Sequence, residues 1–257
     1  MLTVISPAKS LDLTPDCTVG TTPAFQTDAA RLAATARGLT LRDLRGLMDI
    51  SDDLARLNRD RFRAFVADPT PDQTKPAALA FNGDTYIGLD AKSLSDADLN
   101  YAQSHLRILS GLYGLLRPLD AIQPYRLEMG SRLKTRRGHN LYDYWGDTVA
   151  KALRDQALSI GTDSLINCAS QEYFHAADRK TLKLRVITPV FLEDKNGTTS
   201  TISFFAKRAR GAMARFITVN RINDPAQIKH FDTGGYAHAP DLSHGDNWAF
   251  VRPSAPG

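Results

Sequence analysis

The order of apolar and polar residues along the chain predicts alternating short strands and amphipathic helices. The apolar run LTVIS at 2–6 is typical of a buried strand, and Pro7 closes it. From Phe25 to Val66 the apolar residues recur at helical spacing. Within that stretch, Gly38 suits the C-terminal cap of one helix and Ser51 the N-terminal cap of the next.

The rest of the chain continues this alternation. The further predicted elements are a strand at 77–81, a turn at 82–83, a helix from Ser95 to about His105, a helix at 147–158, a strand at 163–169, a hairpin of strands at 184–192 and 199–206 around Asn196-Gly197, and a helix at 207–220. The tail after Asp232 is rich in Gly, Pro and His, so little regular structure is expected there. The pattern predicts one mixed α/β domain over residues 1–257, with a mixed sheet flanked by helices.

Composition narrows the class of protein. The chain has 257 residues, of which 42% are hydrophobic and 23% charged, as in ordinary globular proteins. It has no apolar run of membrane-spanning length and no secretory signal at its N-terminus, so we expect a cytoplasmic protein without a membrane partner. Two cysteines, Cys17 and Cys168, form no disulfide framework, and the six histidines lack metal-site spacing. We therefore expect no metal and no cofactor.

Charge is distributed unevenly. Residues 1–100 carry 11 Lys and Arg against 14 Asp, whereas residues 101–257 carry 21 Lys and Arg against 14 Asp and Glu. The second part is therefore basic by seven charges, which favours a polyanion partner. A genome-wide bias toward Arg and Asp would explain the composition, but it would not explain where the charges cluster.

The first basic cluster surrounds a pair of glycines. Gly111 and Gly114 alternate with apolar residues in LSGLYGLLR, and Arg117 and Arg126 follow. Such a turn can aim backbone N–H groups at an anion, and its pattern looks like the hairpin of a helix-hairpin-helix motif, which holds DNA phosphates. The alternative is a tight turn whose glycines only allow close packing.

The second basic cluster lies on a predicted helix. The segment FFAKRARGAMARFI at 204–217 has four basic residues, including Lys207, Arg208 and Arg210, and no acidic residue. Its apolar stripe indicates core packing, and Gly211 falls within the basic arc. A glycine at position 211 has two explanations: it permits the close approach of a backbone or a ligand, or it arose by neutral sequence drift.

A third set of polar residues falls in loops that follow predicted strands. Lys9, Asp84, Glu128 and Glu172 could serve acid–base chemistry, since ligand sites of α/β folds lie at the carboxyl ends of strands. The alternative is that each residue caps a helix or pairs with a buried arginine. No Walker A, dinucleotide-binding or G-x-S-x-G motif is present.

These segments carry a resemblance to a known family. The sequence resembles the YaaA family of bacterial peroxide stress resistance proteins, also called UPF0246. The matching blocks are ISPAKSLD at 5–12, FNGDTYIGL at 81–89, LSGLYGLLRPLDAIQPYRLEMG at 109–130, LYDYWGD at 141–147, INCASQEYF at 166–174, PVFLEDKNG at 189–197 and SFFAKRARGAMARFI at 203–217.

The resemblance implies a cytoplasmic protein that limits oxidative damage during peroxide stress and lowers free intracellular iron. It also implies an α/β fold with a helix-hairpin-helix element, a basic cleft and binding of double-stranded DNA. Carried over to this chain, the DNA-binding residues are Lys9, Gly111, Gly114, Arg117, Arg126, Lys207, Arg208 and Arg210.

Two hypotheses follow for the function. The first is a monomeric DNA-binding protein, without a known protein partner, that contacts mainly phosphates. The second is an enzyme acting on a nucleotide-like or phosphate-bearing small molecule in the same cleft. The family transfers no catalytic residue, so Lys9, Glu128 and Glu172 are the candidates for that role.

Overall fold

Helices and strands alternate along the described chain. The computed structural model describes residues 1–14 and 20–253, and Cys17 lies outside them. The strands are β1 (Leu2–Ile5), β2 (Ser10–Leu11), β3 (Lys75–Pro76), β4 (Phe81–Asn82), β5 (Leu106–Ser110), β6 (Gly114–Leu116), β7 (Ala121–Ile122), β8 (Ser164–Cys168), β9 (Arg185–Lys195), β10 (Thr198–Ser200), β11 (Ala237–His238) and β12 (Asn247–Pro253). The α-helices are α1 (Gln26–Arg37), α2 (Leu41–Met48), α3 (Asp52–Ala64), α4 (Ala77–Ala80), α5 (Asp84–Leu89), α6 (Asp96–His105), α7 (Leu141–Trp145), α8 (Thr148–Ser159), α9 (Gln171–Phe174) and α10 (Ser203–Val219).

The main sheet is mixed, which confirms the predicted fold class. Its strand order is β11-β12-β9-β8-β1-β5-β6, and β10 pairs with β9. The central strands β5, β1, β8, β9 and β12 run parallel, whereas β6, β10 and β11 are antiparallel to their neighbours. Strands β1, β5 and β8 are buried along their whole length, as expected where both faces of a parallel sheet are covered.

The register of the central strands brings three chain segments to one edge. Ile5 of β1 lies opposite Cys168 of β8 and Ile108 of β5. The residues that follow these strands therefore meet at the carboxyl edge of the sheet, where α/β folds place their ligand sites.

Side-chain caps fix several helix starts as predicted. The Ser51 hydroxyl accepts the Leu54 N–H at the start of α3. Ser95 and Asp98 form a reciprocal capping box at the start of α6. No helix within residues 1–14 and 20–253 is long and apolar enough to cross a membrane.

Helices α5 and α10 cross at two glycines, where a larger residue would clash with the backbone of the other helix. A Cβ at Gly211 would lie 1.8 Å from the carbonyl oxygen of Thr85, and one at Gly88 would lie 2.0 Å from that of Arg208. The glycine in the basic arc of α10 thus serves the close approach of a backbone. This crossing sets the position of the basic residues of α10 relative to the start of α5.

Three local predictions are wrong. Residues 77–80 form the helical turn α4, because three alanines and a leucine suit a buried turn better than a strand. The hairpin around Asn196-Gly197 is confirmed. Its second strand is shorter than predicted, however, because it ends at Ser200 and α10 begins at Ser203. Packing of α10 against α5 overrides the β-propensity of the two phenylalanines at its start.

The third wrong prediction concerns the tail after Asp232, where little regular structure was expected. The tail adds β11 and the seven-residue β12, which pairs in parallel with β9 and buries Trp248, Ala249 and Phe250. The aromatic run NWAFV was the overlooked strand signal among turn-forming residues.

Candidate phosphate site

A cavity of about 400 Å³ lies at the carboxyl edge of β1 and β8. Its wall is formed by the loop after β1, the start of α5, the loop from β8 into α9, and α10. The charged and thiol-bearing residues that line it are Lys9, Asp84, Cys168, Glu172, Lys207 and Arg210. The structure thus brings together residues that lie about 200 positions apart in sequence.

Hydroxyl groups tie the two loops at the base of the cavity. The Ser6 hydroxyl accepts the backbone N–H of Ser170 at 2.8 Å, and the two serine hydroxyls lie 3.3 Å apart. The Tyr86 hydroxyl donates to the Ser6 carbonyl at 3.1 Å, so α5 is joined to the same loop. These bonds hold the lining in one arrangement before any ligand arrives.

Helix α10 supplies the basic wall. Arg210 is half-buried and Lys207 is exposed, and both line the cavity. Within the described residues neither forms a hydrogen bond or an ion pair, and burial lowers the pKa of Arg210. A partly desolvated guanidinium without a protein partner is a strong donor site for an anion.

Cys168 lies at the floor beside Arg210. Its side chain is fully buried, and burial raises the pKa of the thiol to about 12, although the positive charge of Arg210 acts in the opposite direction. The thiol therefore stays protonated at neutral pH. A buried, protonated thiol of this kind is unreactive.

Glu128 stands behind Lys9 and is held by cations. Its Oε1 atom accepts Arg126 Nε at 3.0 Å and Arg126 Nη2 at 2.9 Å, and Lys9 Nζ lies 3.6 Å away. Arg126 and Glu128 are both largely buried, whereas two thirds of the Lys9 side chain is exposed. Arg126 thus neutralises Glu128, and Lys9 remains accessible from the cavity.

Glu172 lines the cavity opposite the basic helix. Its Oε1 atom accepts the backbone N–H of Gly130 at 2.9 Å, and the Tyr142 hydroxyl donates to its carbonyl at 2.9 Å. These contacts fix the start of the segment 131–138, which follows Gly130. Of the predicted catalytic candidates, Lys9 and Glu172 share this cavity, and Glu128 adjoins it through Lys9.

The prediction of a helix-hairpin-helix element at Gly111 and Gly114 is wrong. Residues 111–113 form the turn between the antiparallel strands β5 and β6, and both Gly111 and Gly114 are buried. Gly114 has a φ of 67°, and a Cβ there would lie 2.7 Å from the Trp145 ring. The alternative of glycines required for close packing describes this turn.

Arg117 is also engaged within the protein. Its guanidinium donates to the buried Asp120 carboxylate at 2.8 and 2.9 Å and to the Thr22 carbonyl at 3.0 Å. Gly111, Gly114 and Arg117 therefore do not line the cavity, whereas Lys9, Lys207 and Arg210 do. Arg208 is exposed on α10 next to the cavity wall, and Arg126 lies behind it.

Ser170 is the site residue that the sequence analysis missed. It caps α9 and binds Ser6, and it directly follows the predicted strand 163–169. That position, at the carboxyl end of a buried strand, was the available signal. Within the described part of the chain, no group of three or more His, Cys, Asp or Glu side chains is arranged to hold a metal ion.

The fold and the site define a mixed α/β protein with a basic cavity at the carboxyl edge of its parallel strands. A family model described as "Peroxide stress protein YaaA" matches residues 1–242. The chain belongs to this family, as its sequence blocks predicted.

Close relatives carry the name UPF0246 protein. The chain is 65% identical over 255 residues to one from Roseobacter denitrificans, with 98% of each chain covered. It is 65% identical over 253 residues to one from Ruegeria pomeroyi, covering 98% of this chain and 99% of that protein. One from Caulobacter vibrioides is 54% identical over 255 residues, with 98% of this chain and 99% of that protein covered. Membership of the family supports a role in peroxide stress.

Proposed function

We propose that this protein acts in the peroxide stress response in the cytoplasm by binding double-stranded DNA, mainly through phosphate groups. The observation that carries the proposal is the basic face of α10. Lys207, Arg208 and Arg210 have no acidic partner within the described residues, and two of them line the cavity with Lys9. Such cations bind a phosphate backbone by releasing its condensed counterions.

A second basic surface supports the same partner. Arg132, Lys134 and Arg136 are exposed at alternate positions of the segment that starts beside Glu172, and they form no ion pair within the described chain. Arg132 and Lys134 flank the buried Leu133, and Arg136 lies in the turn that the Thr135–Gly138 bridge closes, so all three cations are accessible from solvent. We propose that this segment, which follows the Gly130–Glu172 contact, and α10 bind the same duplex.

The proposal assigns the contacts to accessible cations. Lys9, Lys207, Arg208 and Arg210 make them, whereas Arg126 lies behind the cavity and is paired with Glu128. Gly111, Gly114 and Arg117 have structural roles instead. The lowering of free iron belongs to the proposed cellular role, and we assign it to no residue.

A salt titration of duplex binding tests the proposal. Each lost phosphate contact should reduce the slope of log K against log salt by about 0.9. We expect Arg208→Ala/Arg210→Ala to weaken binding and flatten that slope. The control is Arg56→Ala/Arg63→Ala, which removes two exposed arginines from α3. Equal slopes for all three proteins would refute the proposal.

A second candidate is an enzyme acting on a nucleotide-like or phosphate-bearing small molecule. The volume of about 400 Å³ favours it, because this is the size of a small-ligand pocket and is far too small for a duplex. Glu172 and the cations of α10 would then act on one bound molecule. A rise in Tm with nucleoside monophosphates that Arg210→Ala abolishes, together with duplex binding that the same variant leaves intact, would favour this candidate.

A further inference from the structure

Phe204, at the start of α10, is the most exposed aromatic residue in the described part of the chain. It is 49% exposed, whereas every other aromatic residue within 1–14 and 20–253 is buried or half-buried. Its ring makes an edge contact with the ring of Phe205, with the two centroids 5.3 Å apart. Phe205 in turn contacts the Arg252 guanidinium, so the neighbour that supports Phe204 is itself held. Aromatic rings contribute much of the energy of binding interfaces when a partner covers them.

Two cations share the outer face of α10 with this ring. Lys207 and Arg208 follow Phe204 by three and four positions, so their Cβ atoms lie about 5–6 Å from its own. All three residues are exposed, whereas Ala206 and Ala209 on the opposite side of the same turns are buried. Neither cation forms a hydrogen bond or an ion pair within the described residues. The face therefore combines one exposed aromatic ring with two accessible positive charges.

The charge of this face determines which kind of partner can cover the ring. Helix α10 contains no acidic residue, so a matching partner brings both negative charge and a flat apolar surface. A DNA strand has both, because its bases stack on aromatic rings while its phosphates bind Lys and Arg. In an intact duplex the faces of each base are covered by the neighbouring base pairs. Only an unpaired base can therefore present its face to the ring.

We propose that Phe204 stacks on an unpaired base of a DNA strand whose phosphates contact Lys207 and Arg208. The proposal rests on the phosphate recognition proposed above, and it adds a preference for DNA that contains unpaired bases. Lys207 also lines the cavity, so the stacking ring lies one helical turn from the proposed phosphate site.

Oligonucleotides with and without bases test the stacking. Phe204→Ala removes the ring and no charge, so it should weaken the binding of a single-stranded oligonucleotide at least about 5-fold, the lower end of what base–aromatic stacking contributes. It should leave the affinity for a strand of abasic sites unchanged, because that strand has the same phosphates and no base. The salt slope should equal that of wild type, since no phosphate contact is lost. Fluorescence anisotropy of labelled strands measures both quantities.

Two further variants control for the loss of an apolar side chain. Leu158→Ala removes a residue that is 68% exposed on α8, and it should bind both strands as wild type does. Phe204→Trp keeps an aromatic face at the same position, so it should retain the affinity for the single strand. The fluorescence of this tryptophan should be quenched by the normal strand and not by the abasic strand. Equal Tm values for wild type and Phe204→Ala establish that the alanine variant is folded.

The outcomes separate this inference from the proposed function. Wild-type affinity of Phe204→Ala for the normal strand would overturn the stacking, and so would an equal loss of affinity for the normal and abasic strands. Either result leaves duplex binding through phosphates standing if Arg208→Ala/Arg210→Ala still flattens the salt slope. An unchanged duplex slope in that double variant would instead refute phosphate recognition itself.

Discussion

Replacing Gly211 by alanine tests whether the α5–α10 crossing holds the basic wall in place. The added Cβ would lie 1.8 Å from the Thr85 carbonyl oxygen and 2.8 Å from the Leu89 backbone nitrogen. Both neighbours are main-chain atoms, so neither can rotate away, and the two helices must move apart. The free energy of unfolding should fall because overpacking of this kind costs about 1–3 kcal/mol.

The size of the effect follows from two opposing contributions. Alanine in a helix interior is favoured over glycine by about 1 kcal/mol, which offsets part of the clash. Because the contact is backbone to backbone, the cost of the clash lies at the upper end of that range, about 3 kcal/mol. The expected net loss in the free energy of unfolding is therefore about 2 kcal/mol. For a chain of this size that corresponds to a decrease in Tm of about 4–8 °C.

Gly46→Ala is the matched control. Gly46 lies on the exposed side of α2, and a Cβ there would meet nothing within 4 Å. We expect this variant to gain about 0.5–1 kcal/mol in urea unfolding, whereas Gly211→Ala loses stability and binds DNA more weakly. If Gly211→Ala proved as stable as wild type, the crossing would not have the tight geometry described.

Three further predictions follow from buried groups. Arg117→Ala should lower the free energy of unfolding in urea, because it leaves the buried carboxylate of Asp120 without its guanidinium, and it should leave DNA affinity unchanged; weaker DNA binding at unchanged stability would contradict this. Arg252→Ala should destabilise the fold by about 3 kcal/mol, since Glu193 is buried and accepts Arg252 Nε at 2.6 Å and the Tyr236 hydroxyl at 2.5 Å; an unfolding midpoint equal to wild type would refute it. The Cys168 thiol, with its pKa raised to about 12 by burial, should resist iodoacetamide in the folded protein at pH 8, and mass spectrometry of that residue checks this. Because the folded pKa lies above the unfolded value near 9, the contribution of this thiol to stability is complete below pH 9 and decreases as pH rises toward 12.

The sequence predicted well those elements whose signals are local. The buried strand at the N-terminus, the caps at Ser51 and Ser95, and the Asn196-Gly197 hairpin depend on neighbouring residues alone. The strand β12 depends instead on pairing with β9, more than 50 residues earlier, and its flanking Gly and Pro residues concealed it. Tertiary pairing of this kind leaves only a weak trace in composition.

The candidate site was predictable only in part, because the sequence shows residue types and local positions but not tertiary pairing. Lys9, Glu172, Lys207 and Arg210 were candidates because of their residue types and their places after strands or on a basic helix, and the structure places them around one cavity. Arg117 lies in a basic segment of the sequence, as Arg208 does, yet its guanidinium is paired with Asp120 three residues later. Whether a cation is paired or accessible is decided by packing, which the sequence pattern does not show.

The most direct test of phosphate recognition at the cavity is a crystal structure of the protein with a short DNA duplex at low salt. The account predicts a phosphate group within hydrogen-bonding distance of Arg210 and Lys207, at the carboxyl edge of β1 and β8. A duplex bound elsewhere, with the cavity and α10 free of any phosphate contact, would contradict it.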